Sequence, residues 1–140
     1  MMIEVLIAIF ILSLIFIFFM FSNRLRDIKV DFFIKEFITN IEIIKSENMK
    51  GNNNALIVIN NNESYINYDF IIDKDYSKSI NSISNINFLK APKYIKFSKN
   101  GGYLNRGETI IIKDKKENKL YKITIVPMSG RISYKGVFYE

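Results

Sequence analysis

Between Val5 and Phe21 every residue except Ser13 is apolar, and neither Gly nor Pro interrupts the run. About 20 apolar residues at about 1.5 Å each match a hydrocarbon core about 30 Å thick. A secretory signal peptide has an apolar run of only about 7–15 residues and then a small-residue cleavage site. Here the polar and bulky Ser22-Asn23-Arg24 follows instead. Residues 1–22 are therefore expected to form a retained membrane-spanning helix. Its one charge is Glu4, and a carboxylate held in hydrocarbon costs about 2.5–3.5 kcal/mol on insertion scales. Either Glu4 lies at headgroup level as a flanking residue, or an assembly brings it a positive partner.

The helical pattern continues past the apolar run. Val30, Phe33, Ile34, Phe37, Ile38, Ile41 and Ile44 form one apolar stripe, with Asp31, Lys35, Glu36, Glu42 and Lys45 off it. That is the signature of an amphipathic helix with one buried face, and Glu42 and Lys45 are spaced to interact on its exposed side. Gly51 followed by three Asn residues is a strong stop. A single helix of about 70 Å is expected, with residues 1–22 in the membrane and 23–50 as its amphipathic half.

After Gly51 the period changes from helix to strand, and residues 51–140 read as a β-rich head. Ala55–Ile59 and Ser64–Ile72 read as a hairpin joined by a turn at Asn60-Asn61-Asn62. The polar stretch from Asp73 to Asn87, with Ile80, Ile83 and Ile86 spaced by three, reads as a loop with one helical turn. Lys93–Ser98 reads as a short strand and Asn100-Gly101-Gly102 as a tight turn. The last third reads as an antiparallel meander: Glu108–Lys113, Leu120–Val126 and Arg131–Lys135, with turns at Asp114–Asn118 and Pro127–Gly130. The expected fold class is α+β, a long N-terminal helix packed on a C-terminal antiparallel sheet head.

Composition removes several chemistries. The chain has no Cys and no His, so disulfides, thiolate sites and Ser-His arrangements are excluded, along with the commonest general base and metal ligand. Asp69, Asp73 and Asp75 form the one acidic cluster, but a calcium site needs six to eight oxygens. Lys74 interrupts these acids without EF-hand spacing, so a solvated loop is expected. No Ser or Thr has a recognisable activating partner, and Gly101, Gly102 and Gly107 are turn glycines outside any phosphate-binding loop. The sequence points to a non-enzymatic chain that needs no cofactor or metal. With 20 Lys and Arg against 14 Asp and Glu, contact with an anionic partner is permitted.

Ile3-Glu4-Val5-Leu6-Ile7-Ala8-Ile9 ahead of a long apolar helix resembles the start of mature type IV pilins and type II secretion pseudopilins. That family opens Phe-Thr-Leu-Ile-Glu-Val-Leu, and its Glu pairs with the N-terminal amine of a neighbouring subunit during filament assembly. Glu4 stands one position early relative to that pattern and no opening Phe precedes it. The expectation is therefore that in-frame codons upstream encode a basic leader ending in Gly, cut by a prepilin peptidase before N-terminal methylation. Further along, Ile95-Lys-Phe97, Asn100-Gly101-Gly102, Gly107 to Ile112, Ile123-Thr-Ile125 and Ser129-Gly130-Arg131-Ile132 look like the head of H-type minor pseudopilins and FimT-like minor pilins. The resemblance implies a subunit of a type IV pilus-like or type II secretion filament. Its partners would be other pilin or pseudopilin subunits and the inner-membrane assembly machinery, and Glu4 would be its assembly residue. It also decides topology. Arg24, Arg26 and Lys29 directly after the span would by themselves favour a cytoplasmic head, whereas the family places the head outside the cell membrane, in a surface or periplasm-spanning filament.

Some FimT-like minor pilins bind DNA through a C-terminal Gly-Arg-X-Arg motif. This chain has Gly130-Arg131-Ile132-Ser133, with Lys135 two residues on, so Arg131 and Lys135 are the candidate DNA contacts of a competence-pilus subunit. Lys113, Lys115, Lys116, Lys119 and Lys122 would extend the positive surface, and Tyr121 and Tyr134 would stack on bases. The competing readings are solvated strand faces and, in a different class, a single-pass membrane-anchored binding domain that never polymerises.

Overall fold

The computed structural model describes residues 2–61, 65–100 and 102–139 and is an α+β fold. The N-terminal helix α1 (Met2–Met49) precedes β1 (Leu56–Asn61), β2 (Ile66–Asp73), β3 (Tyr76–Asn81), β4 (Ile86–Lys90), β5 (Tyr94–Ile95), β6 (Glu108–Asp114), β7 (Lys119–Ile125) and β8 (Ile132–Tyr139). The strands form two antiparallel sheets, ordered β3-β2-β1-β5 (sheet A) and β4-β6-β7-β8 (sheet B). The chain divides into two compact units, Met1–Lys35 and Glu36–Glu140, and the division falls inside α1.

In the first unit every residue from Ile3 to Ser22 is exposed. The window of highest hydropathy, with a mean of 3.0, is entirely unburied, and α1 is long and apolar enough to cross a membrane. The Ser13 hydroxyl donates to the Phe10 carbonyl at 2.7 Å. Its one polar group is thus satisfied within the helix, as a lipid environment demands. Beyond Arg24 the helix becomes two-faced. Val30, Phe33 and Ile34 are buried while Ile28 and Phe32 are exposed, and Asp31 pairs with Lys35 at 2.7 Å on the outside.

In the second unit the stripe continues through Phe37, Ile41 and Ile44, each fully buried, with Ile38 half-buried. Phe37 is the hinge of the core. Its ring meets Tyr68 of sheet A edge-on at 4.9 Å and Phe88 of sheet B at 5.6 Å, so one side chain packs against both sheets. The helix ends where Gly51 predicts. Gly51 takes φ +99, its N–H donates to Asn48 O, and Asn52 N–H donates to Glu47 O, each at 3.0 Å. These paired bonds around a left-handed glycine are a Schellman cap.

Two buried polar residues interrupt the apolar face of α1, Asn40 three residues after Phe37 and Asn48 four after Ile44. Asn48 donates through Nδ2 to Asn52 O (2.7 Å) and Ala55 O (2.9 Å), and its Oδ1 accepts from Phe97 N–H (2.8 Å). One side chain therefore ties the helix end to the start of β1 and to the segment after β5. Asn40 Nδ2 donates to the Tyr68 hydroxyl at 2.9 Å. Lys45, expected to face Glu42, instead donates through Nζ to the Ser129 and Gly130 carbonyls at 3.2 and 3.0 Å.

The expected β1–β2 hairpin and the β6–β7–β8 meander both form. Three local expectations are corrected. Asn60 and Asn61 pair with Asn67 and Ile66 in the ladder, so they belong to β1 rather than to a turn; Asn62 lies outside the described residues, as does Gly101 of the second expected turn. The stretch expected as a loop contains β3, which pairs with β2. It is an edge strand with only Ile80 buried, so it lacks the alternation that marks a half-buried strand. The strand expected over Lys93–Ser98 shrinks to Tyr94–Ile95 because the next backbone donors turn elsewhere. Phe97 N–H goes to Asn48 Oδ1, and Ser98 N–H to Tyr103 O at 2.8 Å.

Candidate assembly and anion-binding surfaces

Glu4 lies in the first turn of α1, at the head of the exposed apolar segment. A carboxylate there is favoured by the partial positive charge of the helix N-terminus. The same position carries it at one end of a surface that water cannot wet, since Ile3 through Phe21 present aliphatic and aromatic side chains around the whole circumference.

Arg131 and Lys135 are both exposed and belong to the C-terminal hairpin. Arg131 sits in the turn before β8, where its N–H donates to Ser129 Oγ at 3.2 Å and its carbonyl accepts from Val126 N–H at 2.9 Å. The turn is locked from below. Gly130 takes φ +58, and a Cβ there would overlap the Gly102 carbonyl. The two Gly-containing stretches singled out in the sequence thus meet backbone to backbone, held by Lys45.

Sheet B has an inner face of Ile110, Ile112, Tyr121, Ile123 and Ile125, all buried. Tyr121 is on this face and is unavailable for stacking on a ligand; Tyr134 is partly exposed at 38%. The outer face is read from the register. Lys90 pairs with Ile111, Ile111 with Lys122, and Lys122 with Lys135, so one row crosses all four strands. Lys113 stands in the adjoining row between Asn87 and Leu120, and Thr109, Thr124 and Ser133 make the row on the other side. Of the lysines grouped from sequence, Lys113, Lys122 and Lys135 share this face, while Lys115 and Lys116 are in the β6–β7 turn and Lys119 opens β7 opposite Asp114. Lys90 belongs to the face but lies far away in sequence, and only strand register reveals it.

The acidic cluster is dispersed. Asp69 accepts from Asn60 Nδ2 at 3.2 Å and from the Ser79 hydroxyl, whereas Asp73 accepts from Lys74 N–H at 2.8 Å in the β2–β3 turn. Among the described residues no three acidic side chains converge to hold a metal. In the core, burial pushes the Tyr68 phenol above its ordinary range. The Asn40 amide opposes this by donating to the hydroxyl, and the Glu36 carboxylate adds to it. A groove of about 540 Å³ runs between the segment after Pro92 and the loop before β6, with Lys93, Lys96 and Arg106 on its walls. Glu4, Arg131 and Lys135 lie outside it.

No protein-family model, curated protein or solved structure matches the chain.

Proposed function

We propose that this chain is a minor pilin or pseudopilin, a membrane-anchored structural subunit of a type IV pilus-like or type II secretion filament. The observation that carries the reading is α1 itself. An apolar helix exposed on every side, with a carboxylate in its first turn, runs without a break into a stripe that forms the core of a two-sheet head. A simple anchor needs the apolar segment alone. Glu4 and the unbroken helical continuation gain a purpose when neighbouring copies stack their helices, because the carboxylate then selects the register in which a neighbour's N-terminal amine meets it. The head lies outside the cell membrane, its partners are other subunits and the inner-membrane assembly machinery, and its role is structural rather than enzymatic.

The test is fractionation with in-cell crosslinking of wild type and Glu4→Val in the native host. Membrane insertion is expected to persist or improve in the variant, since the carboxylate opposes it, while entry into the filament falls. Wild-type filament levels of Glu4→Val would reduce Glu4 to a headgroup flank and leave a non-polymerising anchored domain.

A further inference from the structure

We propose that the outer face of sheet B is a docking surface for anionic lipid headgroups, and this proposal stands whether or not the chain polymerises. The face carries Lys90, Lys122 and Lys135 in one row and Lys113 in the next, and no paired position on it holds a carboxylate. Like charges directly opposite on neighbouring strands repel, and Lys122 and Lys135 are such a pair. Three lysines away from this row do meet acids. Lys35 meets Asp31, Lys50 meets Glu47 and Lys78 meets Glu36 at 2.7, 2.7 and 3.6 Å. Among the described residues, Lys90, Lys122 and Lys135 are exposed and make no ion pair. At a strand spacing of about 4.8 Å their row spans about 14 Å.

Charge alone would suit any polyanion, and the rest of the face decides between them. Nucleic acid is gripped by aromatic stacking and by the guanidinium fork. The paired positions of the three rows include no arginine, and Phe138, opposite Leu120 at the end of the Lys113 row, is their one aromatic residue. Between the lysines lie Ile111 and Leu120, both half-buried. A flat surface of ammonium groups on long apolar stems, with hydrocarbon between them, matches a bilayer interface. There the stems lie against the acyl boundary and the charges reach the headgroups. The chain also carries a helix able to cross a membrane, so lipid is always near.

Each lysine close to an anionic leaflet contributes about a fivefold gain in binding at moderate salt. The full chain, reconstituted in nanodiscs of phosphatidylcholine, is mixed with vesicles of phosphatidylcholine alone or with phosphatidylglycerol added, and co-flotation is measured. Capture by the anionic vesicles is expected, falling steeply as salt rises. Lys122→Gln with Lys135→Gln should weaken it about 25-fold, and the Arg pair at the same positions should retain it. Lys115→Gln with Lys116→Gln removes the same charge from the turn and should change capture by less than about threefold. Equal losses in the two Gln pairs, or capture indifferent to phosphatidylglycerol, would overturn the proposal. So would retention of duplex DNA through Lys122 and Lys135 without vesicle capture, which would assign the face to nucleic acid.

Discussion

Asn48 offers the sharpest test of how the head is held together. Its side chain, 1% exposed, donates to Asn52 O and Ala55 O and accepts from Phe97 N–H. Leucine is nearly the same size but satisfies none of these groups. The Phe97 N–H and Ala55 carbonyl would lose their buried partner at about 1–3 kcal/mol each, while the Asn52 carbonyl can recover water. Allowing about 1 kcal/mol for the apolar gain of leucine, Asn48→Leu should cost about 3 kcal/mol. Aspartate asks a finer question. Protonated, it can accept from Phe97 N–H and donate to one carbonyl; ionised, it faces two carbonyl oxygens. Its folded pKa would be raised above the unfolded value of about 3.9, by about 3 units in a fully buried site. Protons are then held more tightly by the folded state. Stability is therefore greatest below pH 4 and falls by about 4 kcal/mol as pH rises through the folded value. The assay is urea unfolding of the full chain in detergent, followed by circular dichroism at a series of pH values, with unchanged slopes confirming that stability alone has moved. A profile for Asn48→Asp parallel to wild type, together with a loss below about 0.5 kcal/mol for Asn48→Leu, would refute the role of this latch.

Phe37→Ala should cost about 3–5 kcal/mol, because the ring is fully buried against both sheets. Ile43→Ala on the partly exposed side of the same helix should cost under about 1 kcal/mol by the same unfolding assay. Tyr68 has a raised pKa in the fold, so its contribution is complete below about pH 10 and is lost as pH rises above that value. Tyr68→Phe should flatten this alkaline slope while lowering stability at neutral pH, since Asn40 loses its acceptor. Gly130→Ala should cost at least about 2 kcal/mol through its φ and its overlap with Gly102, and Gly136→Ala, with open space around it, should be nearly neutral in thermal melts.

How much of this was legible follows from what each element needs. The stripe on α1 shows in sequence because a helix buried on one face must repeat its apolar residues every three or four positions. The β6–β7 hairpin shows because each of its strands alternates a buried side with an open one, and β8 shows through the Pro127–Gly130 turn before it. The strand β3 does not, because an edge strand with one buried residue needs no alternation. Its Ile80 also misled by standing three residues from Ile83 and six from Ile86, which belong respectively to a connection and to β4. Asn40 and Asn48 fall on the buried face by spacing, but the groups they bond, Tyr68 and Phe97 among them, are known only from the fold. For the candidate sites the same division holds. Glu4 stands out as a charge heading an apolar run, and the Arg131 turn by its glycine. The lysine row is set by register across four strands and by a bulge that brings Lys90 into line, information carried only by the pairing.

The bond from Lys45 to the carbonyls of Ser129 and Gly130 spans 84 and 85 residues of chain, which sets a timetable. At about 5–20 residues per second, the ribosome needs about 4–17 s after making Lys45 before its acceptors exist. During that interval the strands of sheet A are made first, while β6 and β7 of sheet B follow only later. Until sheet B emerges, the side of Phe37 that meets Phe88 must rest on something else, and a chain released before Gly130 would lack an acceptor of Lys45. Quality control of this protein is thus expected to act on the turn between β7 and β8, which supplies the acceptors of Lys45.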